Sequence, residues 1–319
     1  MTREKYQEEI REVIDTAVCN HATAFNHDYC FDSVISDEDN KIRIVIKFCN
    51  TIDDVWPEAL AELRKISFIL RCTPLLVGER TRKHTLQEGV VYTRGNIAAI
   101  NLTTLQRMLV ERILPYLRTR KGGIYVKLDR QQLREQREAR NLSRGDVAEE
   151  VGVSRRAIYE YERGMMNPTV EIALRLEEML ETRLIEPINP LKFDAVAQED
   201  PAICEREKPT RLCQEVDMMF SRLGLDSTMT SDAPFDMLTS LHNNVVLSCL
   251  RQSIKLIDKH RLIFLARLSE VLDEHPAIIT SEQPSTKSKD GIPVVSIKEL
   301  MSIQNPSELI SLIQERRGT

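Results

Sequence analysis

The chain has 319 residues, 42% of them hydrophobic, and 44 Lys and Arg against 49 Asp and Glu give a formal net charge of −5. This length and apolar content exclude a disordered chain and call for two or three domains with cores of their own. The longest apolar runs are far too short for a membrane span, the opening MTREKYQEEI holds no apolar signal region, and seven cysteines without a Cys-x-x-Cys pair suit a reducing compartment, so a cytoplasmic protein with no membrane partner and no disulfide framework is expected.

Thr2 to Val18 is predicted to be an amphipathic helix, with Tyr6, Ile10, Val13, Ile14 and Ala17 on one side. Cys19, His21, His27 and Cys30 are zinc-ligand types, but their spacing fits no finger or ribbon, so buried thiols and surface imidazoles are expected and no metal site. Tyr29 to Ile35 and Ile42 to Phe48 form a hairpin about the polar turn Asp37 to Asn40, followed by a helix from Val55 to Leu70. Strands at Pro74 to Val77 and Ile97 to Ile100 and a closing helix from Leu105 to Leu117 complete an α/β domain with one mixed sheet over residues 1–121. Gly78-Glu79-Arg80-Thr81, just past a buried strand, is either a solvated loop or a ligand-binding one. Gly122-Gly123 reads as a hinge before the extended stretch Ile124 to Leu128.

Residues 122–185 read as an all-α module of five helices, the first capped by Asp129. Ser143 caps a helix that places Val147, Ala148 and Val151 on one face, and Gly152 ends it in the left-handed conformation. Val153 fills the angle to the next helix, which Ser154 caps and which turns Ala157, Ile158 and Tyr161 inward. Arg155, Arg156, Tyr159 and Glu160 are left facing outward near its start. From Arg118 to Arg163 there are 12 Lys and Arg against 8 Asp and Glu in a chain that is acidic overall, so positive charge is concentrated on this module.

The run LSRGDVAEEVGVSRRAIYEYERG from Leu142 to Gly164, with LREQR before it and NPTVEIALRLEEML after it, resembles the lambda-repressor/Cro-type helix-turn-helix family. The resemblance implies double-stranded DNA as partner, with Ser154, Arg155, Arg156, Tyr159 and Glu160 at base edges in the major groove. It assigns Arg134, Arg137, Arg140, Ser143, Arg144 and Arg163 to phosphates, Arg144 standing where the family often has Gln. It also implies a homodimer, since such domains usually bind two half-sites.

A Pro-rich linker, residues 186–209, leads to a C-terminal α/β domain, residues 210–319, that opens with a helix from Thr210 to Leu223. Phe235-Asp236-Met237-Leu238 echoes Phe31-Asp32-Ser33-Val34, and two later segments, His275 to Ile279 and Gly291 to Ile297, echo Thr73 to Val77 and Gly95 to Asn101. Either the α/β domain is duplicated around the helical module, or two unrelated domains share a common rhythm. The helix, hairpin and helix with Asp32 on one strand and Lys47 on the next resemble the restriction-endonuclease-like fold, which implies a second acidic residue two positions before the lysine. Val45 stands there, and the second copy keeps Asp236 but has an apolar run from Val245 to Leu250, so an incomplete active site with no catalytic residue is expected.

FDSV, PLLVGERT, GVVY and the embedded helix-turn-helix together resemble a family of archaeal proteins named as transcriptional regulators. The expectation is a sequence-specific DNA-binding regulator without cofactor, responding to an unidentified small-molecule or protein effector. The alternatives are a nuclease-derived DNA-processing enzyme and an antitoxin-like or scaffolding DNA-binding protein.

Overall fold

The computed structural model describes residues 3–17, 20–24, 28–37, 42–120, 122–192, 210–241 and 244–317. Helix α1 (Arg3–Thr16) buries Ile10, Val13 and Ile14, the face its periodicity predicts. Strands β1 (Asn20–Thr23), β2 (Ser33–Asp37) and β3 (Ile42–Thr51) pair antiparallel in that order. The sequence Asn-His-Ala-Thr carries no apolar alternation, so β1 is a strand only because it finds β2. Helix α2 (Pro57–Ile69) begins with proline, whose missing N–H costs nothing in the first turn, and packs inward through Leu60, Leu63 and Ile66.

Strand β4 (Thr73–Arg80) is longer than predicted and absorbs Gly78, Glu79 and Arg80, so the expected loop there is a strand. A Cβ on Gly78 would stand 2.7 Å from Ile52 Cγ2, so glycine is required by close packing, not by a turn. Strands β5 (Val90–Arg94) and β6 (Ile97–Ile100) form a tight hairpin about Gly95 and Asn96, both at positive φ. The predicted helix from Leu105 to Leu117 is cut short. Helix α3 (Leu102–Gln106) runs into a π turn over Arg107–Glu111 and stops at Arg112 with φ 60°, ahead of a proline at 115 that cannot continue a helix. Leu117 instead opens β7 (Leu117–Arg120), which pairs parallel with β5 and antiparallel with β8 (Gly123–Leu128).

Gly122 (φ 105°) and Gly123 (φ 152°) therefore lie in a hairpin turn whose two arms are hydrogen-bonded, not at a free hinge. The module that follows has four α-helices where five were expected: α4 (Arg130–Ala139), α5 (Arg144–Val151), α6 (Arg155–Arg163) and α7 (Val170–Met179). After α7 the chain leaves helical geometry at Glu181 (φ 44°) and returns as β9 (Ile185–Glu186), paired antiparallel with β8. The backbone hydrogen bond from Asp129 N to Leu184 O closes the module at its base.

The C-terminal part comprises α8 (Arg211–Arg222), β10 (Asp226–Met229), β11 (Met237–Leu241), β12 (Asn244–Arg251), α9 (Lys259–Leu272), β13 (His275–Thr280), β14 (Ser288–Lys289), β15 (Ile292–Ser296), α10 (Ile297–Ser302) and α11 (Pro306–Arg317). Its strand order, β10-β11-β12-β13-β15-β14, matches position for position the order β1-β2-β3-β4-β6-β5 of the first hundred residues. In this second sheet β12, β13 and β15 are parallel and bury every residue of β13 and β15.

Two compact units emerge. One consists of Met1–Phe48, Asp54–Leu75 and Asp194–Thr319, the other of Cys49–Asp53 and Leu76–Phe193. The hairpin at Gly122-Gly123 lies inside the second unit together with the helical module. Among the described residues no helix is long and apolar enough to cross a membrane. Cys19, His27 and much of the predicted turn Asp37 to Asn40 lie outside the described residues, as does most of the linker 186–209.

Candidate nucleic-acid interface

The helical module is built on a core of Leu133, Val147, Ala148, Val151, Ala157, Ile158, Tyr161, Ala173, Leu176, Leu180 and Leu184, joined by Val126 and Leu128 of β8. Each helix start is capped, the first three by the residues the sequence suggests. Asp129 accepts from Gln132 N at 2.9 Å, Ser143 and Asp146 form a reciprocal capping box, Ser154 Oγ accepts from Ala157 N at 3.1 Å, and Thr169 caps α7. Gly152 (φ 75°) and Gly164 (φ 68°) end α5 and α6 in the left-handed conformation. At Gly164 a Cβ would also collide with the Arg130 side chain, because Arg130 lies across this turn with Nη1 donating to Arg163 O.

Ala157, Ile158 and Tyr161 are turned inward, so Ser154, Arg155, Arg156 and Tyr159 are exposed along the first two turns of α6. The Arg156 side chain is 87% exposed, and its Nε lies 3.9 Å from Glu160, which is partly covered. Tyr159 lies between two guanidinium groups: Arg144 is 5.3 Å and Arg163 5.4 Å from its ring centroid, and Arg163 Nη1 donates to Tyr159 Oη at 3.0 Å. This cationic and aromatic patch gathers residues from both α5 and α6.

One predicted phosphate contact is not at the surface. Arg137 is only 7% exposed: its Nε donates to Glu162 Oε1 at 2.5 Å and its Nη1 to Leu142 O at 2.9 Å. The carboxylate of Glu162, 3% exposed, also accepts from Arg144 Nε at 2.7 Å. Glu162 thus ties α4, α5 and α6 together, and the hydrogen bond it accepts holds the Arg137 guanidinium above the usual arginine range. Sequence reasoning missed Glu162. Its signal was its place four residues after Ile158, on the inward stripe of α6 where a lone carboxylate needs a cation. Arg134 pairs with Glu138 and Arg140 with Gln136 on the exposed side of α4, and Arg134 holds the Glu138 carboxyl below the usual range.

Asp32 and Lys47 do come together, as the nuclease resemblance implies, with Lys47 Nζ 3.1 Å from Asp32 Oδ1. The other oxygen, Oδ2, accepts from Phe48 N at 2.7 Å, and Lys47 also donates to Tyr29 O at 2.6 Å. Val45 is fully buried on β3. A divalent cation needs several anionic oxygens, and here a single carboxylate is already engaged by an ammonium and an amide, so the residues present do not fit a catalytic metal. Among the described residues no group of three or more His, Cys, Asp or Glu side chains is placed to hold a metal ion.

Asp236 repeats the arrangement with different cations: Oδ2 accepts from Leu250 N at 2.7 Å and from Arg251 at 2.8 Å, and Oδ1 from Arg261 at 3.0 Å. Since Ser33 pairs with Ile46 and Met237 with Ser248, the lysine position corresponds to Cys249, a buried thiol that burial pushes up to about 11.

A concavity of about 520 Å³ lies in the second unit, lined by Asp53, Thr81, His84, Tyr92, Thr119 and Arg120 among others. Thr81, the last residue of the loop expected from sequence, is here, but its hydroxyl is engaged with the backbone of Lys83 and His84.

The family model for the helix-turn-helix matches residues 133–186, and that for the PD-(D/E)XK superfamily domain matches residues 3–115. A protein of Methanocaldococcus jannaschii is 38% identical over 289 residues, which cover 89% of this chain and 88% of that protein. Proteins of Archaeoglobus fulgidus and Thermococcus gammatolerans are 34% and 30% identical, covering 90% and 89% of this chain and 89% and 88% of their own lengths. All three are named "Putative HTH-type transcriptional regulatory protein". No solved structure matches the chain.

Proposed function

We propose how this chain, which belongs to the family of HTH-type transcriptional regulatory proteins known from archaea, carries out DNA-binding regulation: α6 enters the major groove and the rest of the molecule positions it. Ser154, Arg155, Arg156, Tyr159 and Glu160 face base edges, while Ser143, Arg134, Arg140, Arg144 and Arg163 lie along the phosphates. Arg137 is withdrawn from that set because its charge is already spent on Glu162. The observation that carries the proposal is the outward, capped first turn of α6, with Arg156 87% exposed beside a cationic and aromatic patch.

The test is Arg156→Ala, measured on the cognate operator and on random DNA. Loss of a bidentate base contact should cost about 1–3 kcal/mol on the operator and little on random DNA. Equal losses on both would refute the base-reading role.

The α/β parts serve as frame, not as nuclease: Asp32 is engaged by Lys47 and an amide and Asp236 by Arg251, Arg261 and an amide, and among the described residues no group of three or more His, Cys, Asp or Glu side chains is placed to hold a metal ion. The matching strand orders and the matched amide contacts of Asp32 and Asp236 support a true duplication. A homodimer follows from the size of the reading head, because one module spans too few base pairs for genomic selectivity. The concavity beside the β7–β8 hairpin is the place for a small polar effector in a cytoplasmic regulator, because β8 runs directly into the Asp129 cap of α4.

A further inference from the structure

We infer that the two α/β lobes form an intrachain dimer closed at their aspartate-bearing loops, and that Asp32 and Asp236 are positioning residues that shape those loops for docking. The inference rests on the proposed duplication and assigns it a surface and a partner: each lobe's loop is the partner of the other lobe's helix.

The two loops are built alike. Asp32 N donates to Ile46 O at 2.8 Å and Asp32 O accepts from Ala24 N at 2.8 Å; Asp236 N donates to Ser248 O at 2.9 Å and Asp236 O accepts from Thr230 N at 3.0 Å. Each aspartate then uses one carboxylate oxygen to accept the amide two residues further along the facing strand, Phe48 or Leu250. The backbone is thereby fixed at the aspartate that follows each phenylalanine. Phe31 and Phe235 are buried, with ring centroids 6.4 Å apart.

The contacts across the lobes are reciprocal. Glu62 and Phe264 occupy the same position, sixth in α2 and sixth in α9. Glu62 accepts from Ser231 N at 2.8 Å and Asp232 N at 3.1 Å, so α2 holds the loop of the C-terminal lobe. Phe264 stacks on Tyr29 at 6.2 Å and packs on Phe31 at 6.0 Å, so α9 holds the loop of the N-terminal lobe. Cys30 N donates to Asp232 O at 2.6 Å, joining the loops directly. A self-complementary interface in which each copy presents the same elements is what a two-fold pair requires, here realised within one chain. The consequence is that the face carrying Asp32 is covered by the chain's own second lobe, which closes it to a nucleic-acid strand.

Two thiols report on the docking. Cys30 (1% exposed) and Cys249 (0% exposed) lie beside the two aspartates, and burial raises both above the ordinary thiol range. Cys49, half-buried on β3, directs its thiol to Val77 O within its own lobe and serves as the control. The experiment is N-ethylmaleimide labelling of the full chain, with each cysteine followed by peptide mass spectrometry. Phe264→Ala, a change in one lobe, should raise the labelling rate of Cys30 in the other at least tenfold over Cys49. Asp236→Asn should raise Cys249 and Cys30 together, and Asp236→Glu should restore part of the protection. Unchanged Cys30 labelling in both Phe264→Ala and Asp236→Asn would overturn the inference.

If Phe264→Ala accelerates every cysteine alike, Glu62→Ala, which removes only the two amide contacts, becomes the deciding variant. A selective rise at Cys30 and Cys249 then supports the docking, and uniform or unchanged rates overturn it. Labelling reads docking alone; a solved structure in which the two lobes differ in strand order would instead refute the duplication.

Discussion

Glu162→Ala is expected to unfold the helical module without removing any group that faces DNA. The Glu162 carboxylate is 3% exposed and is the shared acceptor of Arg137, at 2.5 Å, and Arg144, at 2.7 Å. Arg144 is a third exposed and keeps its stacking on Tyr159 and access to water, so its loss of partner costs little. Arg137 is 8% exposed at the side chain and would keep only the exposed Glu138, at 3.2 Å, and the Leu142 carbonyl. Leaving a buried charge so poorly compensated costs about 3–5 kcal/mol, a large part of the stability of a small domain.

Urea denaturation followed by far-UV circular dichroism measures this, with DNA affinity recorded across salt concentrations on the same samples. The double change Arg137→Met with Glu162→Leu removes both charges at similar volume and should recover most of the lost stability. The opposite result is well defined. If Arg137→Met leaves the urea midpoint unchanged and instead flattens the salt dependence of DNA binding by about one unit of slope, Arg137 is a phosphate contact and the buried-lock argument fails.

Two further outcomes are expected. Glu274 is 6% exposed and accepts from Val245 N at 2.6 Å, and burial pushes its carboxyl up to about 7 against the opposing pull of Arg43 and Arg71. Because the folded value lies above the unfolded one, the protonated group's contribution is full below pH 4.5 and lost as pH rises through 7. Glu274→Gln should therefore raise the melting temperature at pH 8, by at most about 3 kcal/mol of stability, and change little at pH 4.5; equal effects at both pH values would refute the assignment. Incubation with plasmid, single-stranded and branched DNA in magnesium or manganese should give no cleavage, and cleavage abolished by Asp32→Ala and by Lys47→Ala would identify the α/β lobe as an enzyme.

Local chemistry determined the first three helices of the helical module from sequence alone. Caps at Asp129, Ser143 and Ser154, left-handed glycines at 152 and 164, and the inward spacing of Ala157, Ile158 and Tyr161 are each set by residues within one or two turns, so they can be read without knowing the partners. The same holds for α1, α2 and β3. Tertiary structure decided whatever depends on a distant neighbour. Polar β1 is a strand because β2 pairs with it, Gly78 is a strand residue because Ile52 crowds it, and the Gly122-Gly123 hinge became a hairpin turn because β7 found β5 and β8. Arg137 shows the limit most clearly. Arginine on a polar helix reads as a surface cation, and only the approach of Glu162, 25 residues later in sequence, shows that its charge is buried and spent.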